Sequence, residues 1–573
     1  MNRDVVAMST SNGADVILEL LQRQGIDCVF ASPIAVMAPI WEALARRRER
    51  GEAEAPRYFR CRHESLAVGL ASGYYKATGR PQAVFLPTGL GVQHGAMALR
   101  TAFQEHTPMT VLSPHSLTYG DVAELDPGPE WPSLLVDRAG PERHAELCVK
   151  WAAEAKTPGD LASQLRRALY FCDEVPRGPT LLSVAFDLML QSAERDASPR
   201  IAPCPLAAAP EHLDQIAELL LGAEVPLIVT AHGGRSAAEA GALTALAELL
   251  GAPVFEFMLP AYHNVPRNHP LSILGPVEPV IAQADVILLA GAVAGWHPPR
   301  TPLRSDCSVI HLDEDPLRPR APYWGYRTTH AVAGDRRLNL ETLVERVRAR
   351  RPSPPADRIE RWRAHGARVR EQGRAAAQRA LEKARDVVPA SALFRALHAA
   401  LPASSAIVDE IVAQGPEMIQ FLFESKPFRQ YCGWFGGLGT SLGTALGVKL
   451  ARPDDTVVCV IGDGALHYNP VPAALGFAQE YRLPILIVVC DNRGYVSQTW
   501  NVLKYFGEGA AVRGRNFVGD VIAPTPDYAK LVEAYGGSGE RVTRAEDLPA
   551  ALERALATLA AGRSFLLDVF VTP

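Results

Sequence analysis

Short apolar runs alternate with helical patterns in three stretches of this chain, at about residues 10–190, 205–350 and 385–573. An apolar run bounded by turn residues predicts a buried strand, and alternation with helices predicts parallel strands joined by crossovers. The strand-like runs are AVFLPTG, MTVLSP and TLLSV, then PLIVTA, VILLAGA and SVIHLDEDP, and finally AIVDE, VVCVIGDG, ILIVVCDN and SFLLDVFV. We therefore predict an α/β fold with three parallel sheets. The stretch AAEAGALTALAELLGAP predicts an amphipathic helix that ends at Gly251.

Two segments between these stretches have the composition of linkers. Residues 191–210 are rich in Pro, Ala and charge, and residues 348–380 begin with RARRPSPPADR and continue as a charged, helix-forming stretch. The 573 residues suit three or four domains of about 150 residues each. The predicted boundaries are 1–190 and 191–350 for the first two domains, 351–384 for a charged linker and 385–573 for the third domain.

Bulk properties restrict the partners and the compartment. The net charge of −5 gives no reason to expect nucleic acid or an anionic membrane as a partner. No apolar run approaches the roughly 20 residues that cross a bilayer, and the first residues lack the apolar core of a signal peptide. The nine cysteines are scattered without a CxxC motif. We expect a cytoplasmic protein with reduced thiols.

Two of the predicted strands end in small, oxygen-bearing residues. One ends at Gly462-Asp463-Gly464, and the next strand-like run ends just before Asn492. Parallel α/β sheets bind ligands beyond the carboxyl ends of their strands, and glycines there are expected to let the backbone turn sharply and approach a ligand. A carboxylate and an amide oxygen suit Mg²⁺, which shares its shell with phosphates and water. Ordinary turn residues are the alternative, and the pairing of Asp463 with Asn492 favours the metal.

The whole stretch VIGDGALHYNPVPAALGFAQEYRLPILIVVCDNRGY resembles the signature of thiamine-diphosphate enzymes. The resemblance implies that Asp463, Asn492 and the backbone carbonyl of Gly494 hold Mg²⁺, which in turn holds the diphosphate. The family usually has Asn where Asp491 stands. Further cofactor contacts are implied for the residues around these ligands: Gly464, Ala465 and Tyr495.

Two more stretches carry the resemblance. RHESLAVGLASGYYKATGRP (62–81) resembles the helix with the family's shared catalytic acid, which maps to Glu64 and would hydrogen-bond the aminopyrimidine ring of the cofactor. A surface carboxylate at a helix N-terminus is the alternative. GWFGGLGTSLGTALGVKLARP (433–453) resembles the segment that receives the aminopyrimidine, with the carbonyl of Gly436 as acceptor and Leu438 as an apolar wedge. Pro33 is implied at the cofactor as well.

Within the family, the third stretch is most similar to benzoylformate decarboxylase, with acetolactate synthase nearly as close. The catalytic Ser of the decarboxylase maps to Ala35, and its first catalytic His maps to Pro87. Its second His is matched by His297. The Ser and Thr side chains that contact the diphosphate in the family map near Val412 and Ala413, so these contacts to the diphosphate are altered here. These differences leave the substrate open.

Four histidines are candidates for proton transfer near the reacting atoms, because imidazole acts as acid or base near neutral pH. His297 is the one carried over from the decarboxylase. The other three, in order of preference, are His115, His467 and His94, the last of which replaces the family's usual Asn. A structural role is the alternative for each of them.

The resemblance spans essentially the whole chain and implies a pyrimidine-binding, a middle and a diphosphate-binding domain, with active sites between the subunits of a homodimer or homotetramer. The predicted reaction is thiamine-diphosphate- and Mg²⁺-dependent cleavage or formation of a C–C bond on a 2-oxo acid, as in a benzoylformate-decarboxylase-like enzyme with carboligase activity. An acetolactate-synthase-like carboligase, a lyase of 2-hydroxy ketones or diketones, and a non-catalytic homologue are the alternatives. The synthase alternative implies FAD in the middle domain, which we do not favour because residues 226–260 hold no flavin signature that we recognise. An apolar substrate pocket is predicted from aromatic and aliphatic side chains: Trp434, Phe477, Trp500 and Leu503.

Overall fold

Three six-stranded sheets, all parallel and flanked by helices, form the frame of the protein. The computed structural model describes residues 11–117, 123, 125–126, 131–257, 260–293, 295–319, 327–351, 353–426, 428–432 and 437–572. The predicted α/β fold with three parallel sheets is confirmed.

The first sheet is built from strands that follow one another along the first third of the chain. These are β1 (Cys28–Ala31), β2 (Arg57–Arg60), β3 (Gln82–Phe85), β4 (Met109–His115), β5 (Trp151–Ala155) and β6 (Thr180–Ala185), in the order β2-β1-β3-β4-β6-β5. Its helices are α1 (Gly13–Arg23), α2 (Ala38–Glu49), α3 (Glu64–Thr78), α4 (Thr88–Gln104), α5 (Trp131–Leu134), α6 (Pro141–Ala145), α7 (Pro158–Asp173) and α8 (Phe186–Leu190). Every residue of the four central strands is buried, as expected for a sheet covered on both faces.

The middle sheet has the strand order of doubly wound nucleotide-binding folds. Its strands are β7 (Pro226–Thr230), β8 (Val254–Glu256), β9 (Ser272–Ile273), β10 (Val286–Ala290), β11 (Ser308–Asp313) and β12 (His330–Ala333), in the order β12-β11-β10-β7-β8-β9. Its helices are α9 (Pro210–Gly222), α10 (Ala237–Leu250), α11 (Glu278–Ile281) and α12 (Arg336–Arg350). Helix α10 ends at Gly251, whose φ of 60° is left-handed, so the predicted end of this helix is confirmed.

The third sheet repeats the strand order of the first. Its strands are β13 (Ala406–Glu410), β14 (Arg429–Cys432), β15 (Val457–Gly462), β16 (Leu486–Asp491), β17 (Ser538–Val542) and β18 (Phe565–Phe570), in the order β14-β13-β15-β16-β18-β17. The helices of this part are α13 (Ala356–Lys383), α14 (Ala390–Ala400), α15 (Gly415–Glu417), α16 (Ser441–Ala451), α17 (Asp463–Leu466), α18 (Val471–Glu480), α19 (Val496–Tyr505), α20 (Ala510–Gly514) and α21 (Leu548–Ala560). Single 3-10 or π turns span Ala35–Met37, Met418–Leu422, Tyr528–Leu531, Glu533–Tyr535 and Ala545–Asp547.

The charged stretch between the second and third sheets is one long helix. Helix α13 has 28 residues, of which only Gly366 and Ala377 are buried, so it is largely solvated as its charge pattern predicts. Among the described helices, none has both the length and the apolar character that spanning a bilayer requires.

The chain divides into two compact units. The first comprises Met1–Cys204, Trp434–Arg452 and Asn469–Glu480, and the second comprises Pro205–Gly433, Pro453–Tyr468 and Tyr481–Pro573. Helices α16 and α18 thus belong with the first sheet, although they follow strands of the third. The predicted domain boundaries along the chain do not anticipate this exchange and stay a prediction.

Candidate active site

Glu64 lies at the carboxyl edge of the first sheet, where strand ends and helix starts meet. It is the first residue of α3, after His63, whose Nδ1 accepts a hydrogen bond from the Ser65 N–H and caps the helix. Its Oε1 accepts from Ser32 Oγ at 3.0 Å, and its Oε2 lies 3.2 Å from Nδ1 of His94. Both carboxylate oxygens are therefore held by side chains from neighbouring elements.

Two histidines flank this carboxylate. The rings of His63 and His94 stack at 5.5 Å with an interplanar angle of 8°. One candidate ligand atom from each of His63, Glu64 and His94 lies within 4.8 Å of the other two. Burial lowers the pKa of His63 from 6.5, against the attraction of the Glu64 carboxylate. Among the predicted histidines, His94 is the one that contacts Glu64. Ser32 was not predicted. The sequence feature that could have identified it is a hydroxyl residue directly after the first strand.

The other predicted residues of this edge have different surroundings. Pro33 is exposed after β1, as is Ala35, while Pro87 is buried at the start of α4. His115 ends β4 with 8% of the residue exposed, and its Nε2 is buried without a hydrogen-bond partner among the described residues. Burial lowers the pKa of His115 to about 4, although Asp187 opposes this. The imidazole is therefore neutral at physiological pH, and its catalytic role stays a prediction.

Helix α3 behind Glu64 packs directly on α16, and glycines make the close approach. A Cβ on Gly73 would lie 2.0 Å from the Thr444 carbonyl oxygen, and one on Gly447 would lie 2.2 Å from that of Leu70. Leu438, the predicted wedge, is half-buried, and Gly436 lies outside the described residues. The small residues of both sequence stretches therefore serve helix packing that fixes the start of α3.

The predicted metal ligands lie together at the carboxyl edge of the third sheet. Asp463 begins α17 directly after β15, and Asn492 follows β16. The N–H of Gly494 donates to both side chains, at 3.0 Å to Asp463 Oδ2 and 3.1 Å to Asn492 Oδ1. The two oxygens that the resemblance assigns to Mg²⁺ therefore converge on one backbone group, beside the carbonyl of the same residue.

The charge at this edge suits a divalent cation. Burial raises the pKa of Asp463 to about 7, and the nearby Asp491 adds to the rise against the N–H groups of Gly464 and Gly494. Burial also raises the pKa of Asp491, whose Oδ2 is buried without a hydrogen-bond partner among the described residues. Two neighbouring buried acids repel each other when both are ionised, and a divalent cation would relieve that repulsion. The donor set thus fits Mg²⁺.

The chain turns from β15 into α17 at the predicted glycines. The turn does not need the left-handed region, since Gly462 has an ordinary φ of −74°, and the left-handed residue near it is Arg493, with φ of 63°. A Cβ on Gly464 would lie 2.6 Å from the Tyr495 ring, whereas one on Gly462 would have nothing within 4 Å. Gly464 therefore allows a tight side-chain contact, and the open space at Gly462 leaves room for a ligand.

The remaining predicted residues of this part lie around that edge. Ala465 is buried in α17, and Tyr495 is half-buried against Gly464. His467 is exposed, and its Nε2 lies 2.9 Å from the hydroxyl of the buried Tyr528. His297 is exposed in a loop of the middle sheet. The catalytic roles of His467 and His297 stay predictions.

Of the three predicted pocket residues that the structure describes, two offer an apolar surface. Phe477 is fully buried against Phe59 and belongs to the core, which corrects its place in the pocket. Trp500 and Leu503 are exposed on α19 by 46% and 44%. Trp434 lies outside the described residues.

The carboxyl edge of the middle sheet is filled by charges of the chain itself. Arg336 is fully buried, with Nε 2.7 Å from Glu239 and Nη1 2.9 Å from Asp313, while Nη2 donates to the His232 carbonyl at 3.3 Å. A Cβ on Gly291 would lie 2.9 Å from Arg336 Nε. This guanidinium occupies the switch point between β7 and β10, where doubly wound folds bind dinucleotides. That FAD is unlikely in this domain stays a prediction.

Comparison with known families covers all three sheets. Residues 11–122 match the N-terminal TPP binding domain of thiamine pyrophosphate enzymes, residues 213–343 match their central domain, and residues 416–569 match their C-terminal TPP binding domain. The chain belongs to the thiamine-diphosphate-dependent enzymes. Thiamine diphosphate is accordingly its cofactor, and the enzyme is a decarboxylase or carboligase of this family.

Relatives of this enzyme include both of the predicted branches. It is 28% identical to a benzoylformate decarboxylase of Pseudomonas aeruginosa, over 96% of this chain and 97% of that one. It is 26% identical to the acetolactate synthase isozyme 3 large subunit of Escherichia coli, over 98% and 95% of the two chains. A solved thiamine diphosphate-dependent 4-hydroxybenzoylformate decarboxylase of Rhodococcus jostii has the same fold, with a TM-score of 0.77 at 23% identity over 98% and 99% of the chains.

Proposed function

We propose that this enzyme decarboxylates a 2-oxo acid with thiamine diphosphate and Mg²⁺, and that it can pass the product fragment to a second carbonyl compound. The observation that carries the proposal is the convergence of Asp463 and Asn492 on the Gly494 N–H, beside a second buried acid. Ordinary turn residues would not need two buried acids side by side.

The chain's residues have separate tasks in this proposal. Asp463, Asn492 and the Gly494 carbonyl hold Mg²⁺, and the open space at Gly462 admits the diphosphate. Glu64, held by Ser32 and His94, binds the aminopyrimidine ring and exchanges a proton with it. The bound cofactor supplies the electron sink for cleavage next to the carbonyl.

Two relatives support a 2-oxo acid as the substrate. Besides the benzoylformate decarboxylase, a probable 2-ketoarginine decarboxylase of Pseudomonas aeruginosa is 28% identical over 92% of this chain and 89% of that one. Both names describe decarboxylation of a 2-oxo acid. The exposed Trp500 and Leu503 favour an aryl or alkyl group on that acid.

Carboligation or cleavage of a 2-hydroxy ketone is the second candidate, and a specific difference favours it. Ala35 and Pro87 stand where the decarboxylase resemblance places a catalytic Ser and His. With Ala35 and Pro87 in these places, the chain supplies neither the hydroxyl nor the imidazole that would contact a substrate carboxylate or protonate a product there.

We also propose that the enzyme is a homodimer or homotetramer with shared active sites. The family to which the chain belongs supports this proposal, because the resemblance implies active sites between subunits. Light scattering on the loaded enzyme tests this. A fully active monomer would exclude shared sites.

A substrate panel tests the function. The protein is loaded with thiamine diphosphate and Mg²⁺ and given pyruvate, benzoylformate, branched aliphatic 2-oxo acids and a guanidino 2-oxo acid, with and without an aldehyde acceptor. We expect CO₂ and aldehyde from at least one acid, an acyloin when the acceptor is present, and neither from Glu64→Gln. Cofactor binding without CO₂ from any acid would refute the decarboxylase, and cleavage of a 2-hydroxy ketone supplied in a parallel assay would then establish the lyase.

A further inference from the structure

The hydrogen bond between His94 and Glu64 joins the activating acid to a group that can itself carry a proton. Ser32 holds one oxygen of Glu64 by donating its hydroxyl hydrogen, whereas His94 faces the other oxygen with Nδ1 at 3.2 Å. A carboxylate has about four acceptor positions, so both contacts leave room for a ligand hydrogen bond. An ionised Glu64 requires the proton of a neutral His94 to be on Nδ1.

His94 is held in this place by more than the carboxylate. Its backbone oxygen accepts from Ser65 Oγ at 3.0 Å, which ties α4 to the first turn of α3. Its ring stacks on His63. A Cβ on the next residue, Gly95, would lie 3.6 Å from Glu64 Cβ, so the α4 backbone passes close to the acid. The imidazole is therefore positioned beside Glu64 by its backbone anchor and by the stack on His63.

The far end of the same ring faces outward. The His94 side chain is 71% exposed, against 14% for Glu64. Imidazole carries two nitrogens on opposite sides of the ring, so a proton can arrive at Nε2 while another leaves from Nδ1. His94 thus connects a largely enclosed carboxylate with solvent.

We propose that His94 is the positioning residue and proton relay of Glu64. Water gives a proton to Nε2 and leaves hydroxide in the solvent, the Nδ1 proton passes to Glu64 Oε2, and the result is a protonated Glu64 beside a neutral His94 whose proton is now on Nε2. The reverse transfer deprotonates Glu64 again, so no proton is gained or lost over a cycle. The inference rests on the proposed function, because it concerns how the protonation state of Glu64 is restored between steps.

Two substitutions separate the relay from simple anchoring. His94→Asn keeps a side-chain donor for Oε2, and Asn is what the family usually has here, but an amide cannot pass a proton on. His94→Ala removes both functions and opens a space that imidazole from solution can enter. Gln93→Ala is the matched control, since Gln93 is the preceding residue of α4 and bonds His144 instead of Glu64.

The experiment follows the exchange of the acidic thiazolium proton of bound thiamine diphosphate into D₂O, with Mg²⁺ present, by rapid quench and proton NMR. We expect a fall of roughly 100-fold in His94→Ala, the lower end for general acid–base catalysis, with saturable recovery on adding imidazole. His94→Asn is expected to fall nearly as far without recovery, and Gln93→Ala to match the wild type. Cofactor affinity and the thermal midpoint of His94→Asn should equal those of the wild type.

An unchanged exchange rate in His94→Asn, or no effect of imidazole on His94→Ala, would overturn the relay. Glu64→Gln distinguishes this failure from failure of the proposed function. If Glu64→Gln abolishes exchange and His94→Ala does not, only the relay is wrong. If Glu64→Gln exchanges as fast as the wild type, the assigned role of Glu64 is wrong as well. Because no substrate is added, the result does not depend on which 2-oxo acid the enzyme uses.

Discussion

At the scale of single residues, burial shifts the pKa of several acids and histidines of this enzyme. The pKa of His115 falls to about 4 because its ring is enclosed at the end of β4. That of Asp568 rises to about 7 because it is buried, although Arg541 Nε lies 2.8 Å from its Oδ2. The sequence predicts a functional role for His115 and none for Asp568, and it does not show the burial of either, which depends on contacts between distant elements.

His115 makes the stability of the enzyme fall in mild acid. Its folded pKa of about 4 lies below the ordinary 6.5, so the unfolded chain binds this proton first as the pH falls. Stability is therefore complete at neutral pH and is lost between pH 6.5 and 4, by about 2 kcal/mol from pH 7 to pH 5. Urea unfolding of His115→Phe should show a drop smaller by that amount. Parallel wild-type and variant pH curves would refute this.

The buried ion pair of Lys76 and Glu105 is predicted to stabilise the first sheet only as a pair. Their charged atoms lie 2.7 Å apart with 1% and 2% of the side chains exposed. Lys76→Met leaves a buried carboxylate behind and should cost about 3–5 kcal/mol, most of which Lys76→Met/Glu105→Leu should restore. Urea unfolding measures both.

The exposed pair of Arg48 and Glu54 provides the control for that measurement, with 79% and 66% of the side chains exposed. Arg48→Ala should change the unfolding free energy by less than about 1 kcal/mol. Equal costs at the two sites would show that burial is not the cause.

At the scale of elements, the apolar runs predicted most of the central strands and missed the edge strands, together with the short inner strands β1 and β8. Strands β5 and β17 are half-buried over four of their five residues, and β2 has the charged sequence RYFR. Edge strands face solvent on one side and carry polar groups, so they lack the continuous apolar run that identifies a central strand. The GDG and DNRG motifs were found because each directly follows a central strand.

The packing of α3 on α16 depends on glycine at the contact. Gly447→Ala would place its Cβ 2.2 Å from the Leu70 carbonyl oxygen and 2.9 Å from the Tyr74 nitrogen, so the helices must separate. We expect a loss of about 1–3 kcal/mol and weaker cofactor binding, because the start of α3 carries Glu64.

Gly241→Ala is the matched helical substitution, since nothing lies within 4 Å of the added methyl group in α10. It should stabilise the enzyme by about 0.5–1 kcal/mol through helix propensity. Thermal unfolding compares the two. A neutral Gly447→Ala would show that close packing of these helices is not required.

At the scale of the whole molecule, the first and third sheets share the strand order 2-1-3-4-6-5 although no sequence repeat relates them. The sequence predicted three sheets of similar pattern, but strand order follows from long-range packing that no local pattern encodes. For the same reason it could not show α16 and α18 joining the first compact unit. The closeness of Asp463 and Asn492 was predictable because both follow the ends of strands that lie near each other in the sequence.

The most direct measurement of the central claim is calorimetric titration of the metal-free enzyme with thiamine diphosphate, in the presence and absence of Mg²⁺. The geometry of Asp463, Asn492 and Gly494 predicts tight binding with Mg²⁺ and a loss of more than about 10-fold without it or in Asp463→Asn, which keeps the size of the side chain but loses its charge. Equal affinity with and without Mg²⁺, unchanged in Asp463→Asn, would contradict the assignment of this sheet edge as the metal and diphosphate site.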